Sequence, residues 1–188
     1  MRHYRDIRKS LARRLPDGLI LLSGGTPVTR NHDVDFVFRQ KSDFLYLTGV
    51  EEPGCLLLID PKRGKETLFM PRIDNHHRVW LGHVPGPREA RALYGVANTL
   101  YTDELAKALK GAGGGYRKLY ADAEAVLKAK PALKLKPATA DLRDALDELR
   151  VCKTDGELAL MRRAADVSSH AHREVMRRTR PGDRKSVV

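Results

Sequence analysis

Apolar residues recur along this chain in two alternating patterns, one with helical spacing and one of short continuous runs. An apolar residue at every fourth position predicts a helix over residues 4–15, which ends at Pro16. Continuous apolar runs predict buried strands over residues 19–22 and 55–59. Because helical and extended segments alternate in this way as far as residue 130, the pattern predicts a layered α/β domain.

Residues 44–48 are predicted to form a further strand, because aromatic and β-branched side chains alternate there with leucines. Gly49 then ends the segment. The other elements predicted before residue 130 are strands over residues 66–70, 98–101 and 118–121, helices over residues 74–81, 87–94 and 103–110, a flexible loop over residues 111–115, and a short helix that begins at residue 122. The strand over residues 66–70 is expected to form a hairpin with the strand before it.

A polar cluster directly precedes residues 44–48 and contains Arg39, Gln40, Ser42 and Asp43. Polar side chains at such a position commonly fix a loop by hydrogen bonds to neighbouring backbone, and this is the favoured interpretation. The functional alternative is that the cluster forms one wall of a binding site.

Residues 131–137 are rich in proline and lysine and support neither a helix nor a central strand, so they predict a domain boundary. A helix over residues 139–150 follows. Thr154 and Glu157 then have the spacing of a capping box and begin a long helix to about residue 178. The predicted division is an α/β domain over residues 1–130, a linker and connecting helix over residues 131–153, and the start of a second domain over residues 154–188.

The formal net charge of +11 raises the question of nucleic-acid binding. The excess lies in residues 1–14 and 162–185, where it fits the solvated faces and ends of helices. No aromatic residue lies among the later basic residues and no nucleic-acid motif is present, so no nucleic-acid partner is expected. No apolar run approaches the roughly 20 residues that span a bilayer, and no secretory signal is found. We therefore expect no membrane contact and a cytoplasmic location.

Histidines and carboxylates are the natural candidates for metal binding, but their spacing is unfavourable. Adjacent His76 and His77 diverge on a helix, and Asp33 and Asp35 are favoured as surface or loop-fixing carboxylates beside arginines. No serine lies in a nucleophile-elbow pattern. The residues themselves thus predict neither a metal site nor independent catalysis.

Three separated blocks of sequence resemble one known family. They are Phe38-Arg39-Gln40 with Ser42-Asp43-Phe44 and Thr48-Gly49, then Glu52-Pro53-Gly54-Cys55 with Gly64-Lys65 and Pro71-Arg72, and last Lys153-Thr154-Asp155 with Ala171-His172-Arg173-Glu174. The first block resembles the N-terminal domain of aminopeptidase P, whereas the middle block is more similar to prolidase. The last block is similar to the first helix of the catalytic domain that these Xaa-Pro peptidases share. The choice between aminopeptidase P and prolidase specificity stays open.

The resemblance implies a creatinase-type N-terminal domain, with a mixed sheet of about six strands flanked by helices and a C-terminal helical extension. Residues 154–188 would then be the truncated start of the metallopeptidase domain. In a full-length member the family implies two divalent metal ions, expected to be manganese, and a peptide substrate with proline second. The family's metal ligands would lie beyond residue 188, so this chain alone is expected to need no cofactor and to be inactive. A truncated chain, a frameshifted gene and a natural stand-alone domain all fit the sequence.

Arg39 and Trp80 are the two candidates for a role in substrate access. Trp80 is the only tryptophan, and its segment resembles a Trp-x-Gly stretch that lies near a neighbouring subunit's active site in oligomeric relatives. Core packing is the commoner role of such a residue. The expected function is the N-terminal domain of a metal-dependent Xaa-Pro aminopeptidase or dipeptidase, shaping substrate access and forming a homo-oligomer. The alternative is a stand-alone interaction module that binds peptides or full-length relatives without cleaving them.

Overall fold

Strands and helices alternate along the computed structural model, which describes residues 2–74, 79 and 82–185. The strands are β1 (Gly18–Ser23), β2 (Thr29–Asn31), β3 (Val34–Asp35), β4 (Leu56–Asp60), β5 (Lys65–Met70), β6 (Asn98–Tyr101), β7 (Lys118–Ala121) and β8 (Lys136–Pro137). The helices are α1 (Arg2–Arg14), α2 (Ser42–Thr48), α3 (Pro87–Tyr94), α4 (Leu105–Gly113), α5 (Ala123–Ala129), α6 (Thr139–Val151) and α7 (Asp155–Arg178). The chain separates into two units, Met1–Leu149 and Arg150–Val188.

Six of the strands form one mixed sheet in the order β6-β5-β4-β1-β7-β8. Strand β4 pairs antiparallel with both β1 and β5, whereas β1 with β7, β5 with β6, and β7 with β8 are parallel pairs. Strands β2 and β3 form a separate antiparallel hairpin. The predicted fold class, a mixed sheet of six strands flanked by helices, is thus confirmed.

Different helices cover the two faces of the sheet. Successive residues of a strand point to opposite faces, so in β4 Leu57 and Ile59 join a first core while Leu56 and Leu58 join a second. Helices α1, α2, α3 and α6 supply side chains to the first core, and α4 and α5 supply the second. The continuous apolar runs of the sequence are therefore central strands buried on both sides, as predicted.

The segment predicted as a strand over residues 44–48 is a helix, so this prediction was wrong. Phe44, Leu47 and Thr48 have the spacing of one helical face, and all three are buried. Gly49 then adopts a left-handed conformation with φ of 68° and donates its amide to a carbonyl one turn earlier. The glycine interpreted as the end of a strand is the C-cap of α2.

Helix α4 also differs from its prediction. A 3-10 turn over Thr102–Glu104 precedes it, and the helix continues to Gly113, inside the segment expected to be a flexible loop. Gly113 is buried, so this part of the chain packs against its neighbours. The helix predicted over residues 74–81 falls mostly outside the described residues.

Residues 131–149 belong to the first unit. Strand β8 extends the sheet as an edge strand beside β7, a position that tolerates proline. Helix α6 buries Leu142 and Leu146 in the first core. The segment expected to be a linker therefore packs, as far as Leu149, on the same sheet as the residues before it.

The second unit contains α7. The Thr154 hydroxyl accepts the Glu157 amide at 3.4 Å, and the Glu157 carboxylate accepts the Thr154 amide at 2.7 Å. The predicted capping box is thus confirmed. No described residue of α7 is buried. Within the described ranges, no helix combines the length and the apolar character needed to cross a bilayer.

Candidate functional site

Polar side chains from three parts of the first unit meet where β1 and β7 end. Because these strands are parallel, Ser23 at the end of β1 and Asp122 directly after β7 lie at the same edge of the sheet. The Ser23 amide donates to one Asp122 carboxylate oxygen at 2.7 Å, and the Ser23 hydroxyl donates to the other at 2.6 Å. The same carboxylate caps α5 by accepting two amides of its first turn. With Lys41 and Glu124, these residues form what we call the edge cluster.

Lys41 joins α2 to the edge cluster. Its ammonium donates to the Ser23 hydroxyl at 2.7 Å and to the Glu124 carboxylate at 2.8 Å, and Glu124 also pairs with Lys128 at 2.7 Å. Burial alone would raise the pKa of Glu124, but the hydrogen bonds from Lys128 and Lys41 outweigh burial and lower this pKa to about 2. Glu124 is therefore ionised at neutral pH and is not poised as a general acid or base.

Gln40 has the loop-fixing role that the sequence favoured. Its side chain is only 6% exposed. Its carbonyl oxygen accepts the amides of Gly25 at 2.6 Å and Lys41 at 2.9 Å, while its amide group donates to the Glu52 carbonyl at 2.9 Å. Beside it, a Cβ on Gly24 would lie 3.1 Å from the Cys55 carbonyl oxygen, so the Gly-Gly pair permits close packing of two loops.

Of the two candidates for a role in substrate access, the structure describes Arg39 only. Arg39 is exposed, and its guanidinium makes no hydrogen bond or ion pair within the described part of the chain. Arg39 directly precedes Gln40, so it lies on the loop that the Gln40 hydrogen bonds hold in place. Trp80 lies outside the described residues. Arg39 is thus an accessible charge on a loop that is fixed by hydrogen bonds.

The carboxylates weighed as metal ligands lie on an exposed hairpin. Asp35 belongs to β3, and Asp33 is in the turn, where His32 has a φ of 46°. Across the ranges 2–74, 79 and 82–185, no three histidine, cysteine, aspartate or glutamate side chains are grouped so that they could hold a metal ion. His76 and His77 lie outside these ranges.

A cavity of about 380 Å³ opens beside the edge cluster, between α2, α6 and the start of α5. Leu22, Phe44 and Leu142 give it apolar walls. Its charged lining residues are of both signs, namely Lys41, Arg143, Asp43 and Asp122. The Ser23 hydroxyl donates to a carboxylate and accepts from Lys41, so within the described residues no neutral base is in reach to activate it. Within the described residues, the arrangement holds separate segments of the chain together and contains no nucleophile paired with a base.

The edge cluster as a unit was missed from the sequence, because Ser23 and Asp122 are 99 residues apart. One signal could have found it. Each residue directly follows an apolar strand segment, and polar residues after the carboxyl ends of parallel strands meet at one edge of a sheet. Using that signal requires knowing that β1 and β7 are neighbours, which no local pattern states.

The architecture has counterparts among known proteins. The family described as aminopeptidase P, N-terminal domain, matches residues 4–120 of this chain. This chain belongs to the aminopeptidase P N-terminal domain family. The match includes the first two of the three blocks that carried the resemblance, and the family they indicated is thereby confirmed.

Relatives of this aminopeptidase P N-terminal domain include the Xaa-Pro dipeptidase of Homo sapiens, 34% identical over 172 residues, and a probable Xaa-Pro aminopeptidase of Metarhizium acridum, 32% identical over 182 residues. The alignments cover 87% and 94% of this chain and 35% of each relative. The zinc-substituted aminopeptidase P of Escherichia coli in complex with product has a TM-score of 0.84 and 29% identity, over 97% of this chain and 46% of that one. The chain thus spans about a third of the length of these curated relatives.

Proposed function

We propose that this chain is the N-terminal part of a metal-dependent Xaa-Pro peptidase located in the cytoplasm. In this proposal the α/β unit shapes the access of a peptide with proline in second position to a catalytic centre supplied by further sequence. The family match over residues 4–120 carries the proposal. The relatives named Xaa-Pro dipeptidase and probable Xaa-Pro aminopeptidase support it, since both are longer than this chain.

The proposal assigns the two divalent metal ions, expected to be manganese, to residues outside these 188. Two carboxylates of the described residues, Asp60 and Glu124, do not fit a metal site. Asp60 is bonded to Arg63, and Glu124 is bonded to Lys41 and Lys128, so a metal ion would have to displace cations that already neutralise them. The observation that the E. coli relative is zinc-substituted supports a divalent metal in the complete enzyme.

Arg39 and Trp80 are proposed to line the route to that catalytic centre. An exposed guanidinium can bind a carboxylate through two parallel hydrogen bonds, so Arg39 suits a peptide terminus or an acidic side chain beside the entrance. The Gln40 contacts fix the backbone next to Arg39 and so limit the positions its side chain can reach.

The 188 residues alone are expected to release no product from Xaa-Pro peptides with Mn²⁺, Co²⁺ or Zn²⁺. The physical reason is that, in this proposal, these residues do not supply the ligands of the two metal ions, and the metal ions are what activate the attacking water molecule. The measurement is chromatographic detection of the released amino acid, beside a blank without protein. Turnover that persists after repurification would contradict the expectation.

A longer protein that contains these residues tests whether the complete chain is an Xaa-Pro peptidase. It is expected to cleave Xaa-Pro-Xaa tripeptides as an aminopeptidase, and exclusive cleavage of Xaa-Pro dipeptides would assign it to prolidase instead. No cleavage of either substrate, together with binding of intact peptides, would favour the alternative, a stand-alone interaction module.

The proposal also includes a homo-oligomer that forms partly through α7. Leu160 and Val167 lie two turns apart on one face of this helix, and they are 63% and 64% exposed. Exposed apolar stripes of this kind are typical of surfaces that a partner covers. Each such side chain contributes on the order of 1.5–3 kcal/mol when it is buried, before the entropy of association is subtracted.

Light scattering at micromolar concentration is expected to give the mass of a dimer or a larger oligomer. Replacing Leu160→Asp and Val167→Asp together is expected to reduce it to the mass of a monomer, because buried carboxylates would be left unpaired. Leu127→Asp is the matched control, since Leu127 is equally exposed but lies on α5. A wild-type monomer whose mass does not respond to the double substitution would refute this part of the proposal.

A further inference from the structure

A larger cavity, of about 640 Å³, lies between α4 and the part of the sheet formed by β4, β5 and β6. Its floor consists of alternate strand residues that share the sheet face of the second core, among them Thr67. On the helix side Ala108, Gly111 and Ala112 line the cavity at the spacing of one helical face. Their small side chains cannot fill the gap above the sheet, so the space stays open to solvent.

The charged side chains that line this cavity are mostly basic. They are Arg63, Lys65, Arg91 and Lys107, with two carboxylates, Asp60 and Glu104. Both carboxylates already have donors. Asp60 accepts the Tyr116 hydroxyl at 2.6 Å and Arg63 at 2.7 Å, and Glu104 accepts the Tyr101 amide at 3.0 Å. The positive charge of the cavity is therefore only partly neutralised.

Three of the cations, Lys65, Arg91 and Lys107, make no ion pair with any residue that the structure describes. Solitary surface cations are usually only solvated. These three differ because they surround one concave floor, and because that floor offers a hydroxyl. The Thr67 side chain lines the floor, and its hydroxyl makes no hydrogen bond within the same ranges. Such a hydroxyl can donate to or accept from a bound molecule.

We propose that this cavity binds a small organic phosphate ester, with the phosphate held by Lys65, Arg91 and Lys107. Arginine and lysine side chains are the usual protein partners of phosphate oxygens. The apolar floor residues Leu58 and Leu100 would contact the organic part of the ligand. The volume falls within the range of about 300–1,000 Å³ that is typical of small-molecule sites. This ligand is independent of the proposed peptidase function, which places its reaction elsewhere.

Calorimetric titration of the chain with adenosine 5′-monophosphate and with adenosine, in a phosphate-free buffer of about 0.1 M ionic strength, tests the proposal. Saturable binding of the monophosphate at one site is expected, with no detectable binding of adenosine, because adenosine lacks the charge. Lys65→Gln with Lys107→Gln removes two of the three cations and is expected to weaken binding at least about tenfold, because losing even one charge-assisted hydrogen bond costs about that much.

The matched control is Lys110→Gln with Lys134→Gln, which removes the same charge from positions that do not line the cavity. This pair is expected to change the affinity less than about twofold, because screened charges outside a site act weakly. Equal weakening in both double variants would show that binding depends only on the net charge of the protein, and it would overturn the proposal. So would the absence of saturable binding to wild-type protein at millimolar ligand.

Gly111→Leu provides a second variant that leaves every charge in place. A Cβ at Gly111 meets no atom within 4 Å, so the leucine is accommodated and extends into the cavity. It is expected to abolish binding of adenosine 5′-monophosphate without lowering the melting temperature, since leucine favours a helix more than glycine does. Unchanged binding in a folded Gly111→Leu variant would place the ligand elsewhere and would overturn the proposal.

Discussion

Replacing Glu66→Leu is expected to lower the free energy of unfolding by about 3–5 kcal/mol, the cost of leaving a buried charge without its partner. The buried charge is Arg8 of α1, whose side chain is fully inaccessible to solvent. Its Nε donates to Glu66 at 2.8 Å and one terminal nitrogen donates to the Leu47 carbonyl at 2.9 Å. The other terminal nitrogen is buried and has no partner among the described residues, so no spare contact there can replace Glu66.

Urea unfolding followed by circular dichroism measures this effect, and a double-mutant cycle isolates it. Glu66→Gln keeps an oxygen that accepts from Arg8 and is expected to cost less than Glu66→Leu. Arg8→Met combined with Glu66→Leu is expected to recover most of the loss, because no charge then remains buried. If Glu66→Leu alone costs less than about 1 kcal/mol, Arg8 reaches water or another acceptor and the interpretation fails.

Replacing Leu146→Ala is expected to cost about 2–5 kcal/mol, as large-to-small substitutions do in a packed core. Leu146 lies on α6, is 2% exposed and belongs to the first core with Leu11 and Phe44. The residue comes after the proline-rich segment that predicted a domain boundary. A large loss would therefore show that residues on both sides of this segment share one cooperative unit.

Leu127→Ala on α5 is the matched control, because it removes the same atoms from a side chain that is 63% exposed. Its expected effect lies within about 0.5 kcal/mol. The comparison uses thermal and urea unfolding of both variants. Similar small effects for the two leucines would mean that α6 is not held by the first core in solution.

The parts of the fold that could be predicted have local signals. The hairpin of β4 and β5 follows from two apolar segments and a turn, and it is observed with Asp60 opposite Lys65. The end of α3 was predicted at Gly95, which adopts a φ of 65° as its C-cap. In each case residues adjacent in sequence determine the conformation, so a single sequence is sufficient.

The parts that could not be predicted depend on contacts between distant segments. The short helix α2 has aromatic and β-branched residues that favour a strand, and only burial of one helical face against α1 and the sheet overrides them. Arg8 was one of several basic residues assigned to a solvated face, yet its partner Glu66 is 58 residues away. The proline-rich segment suggested a linker because an edge strand needs no local signal of its own.

The central position of β1 has a consequence for the synthesis of the chain on the ribosome. Ile20 of β1 pairs with Ile59 on one side and with Tyr120 on the other. At about 5–20 residues per second, β7 emerges several seconds after β1. During that interval β1 presents an apolar edge with unpaired backbone groups, a template for pairing with another chain. Nascent chains that end before β7 are therefore expected to be the form of this protein most exposed to aggregation and to capture by chaperones.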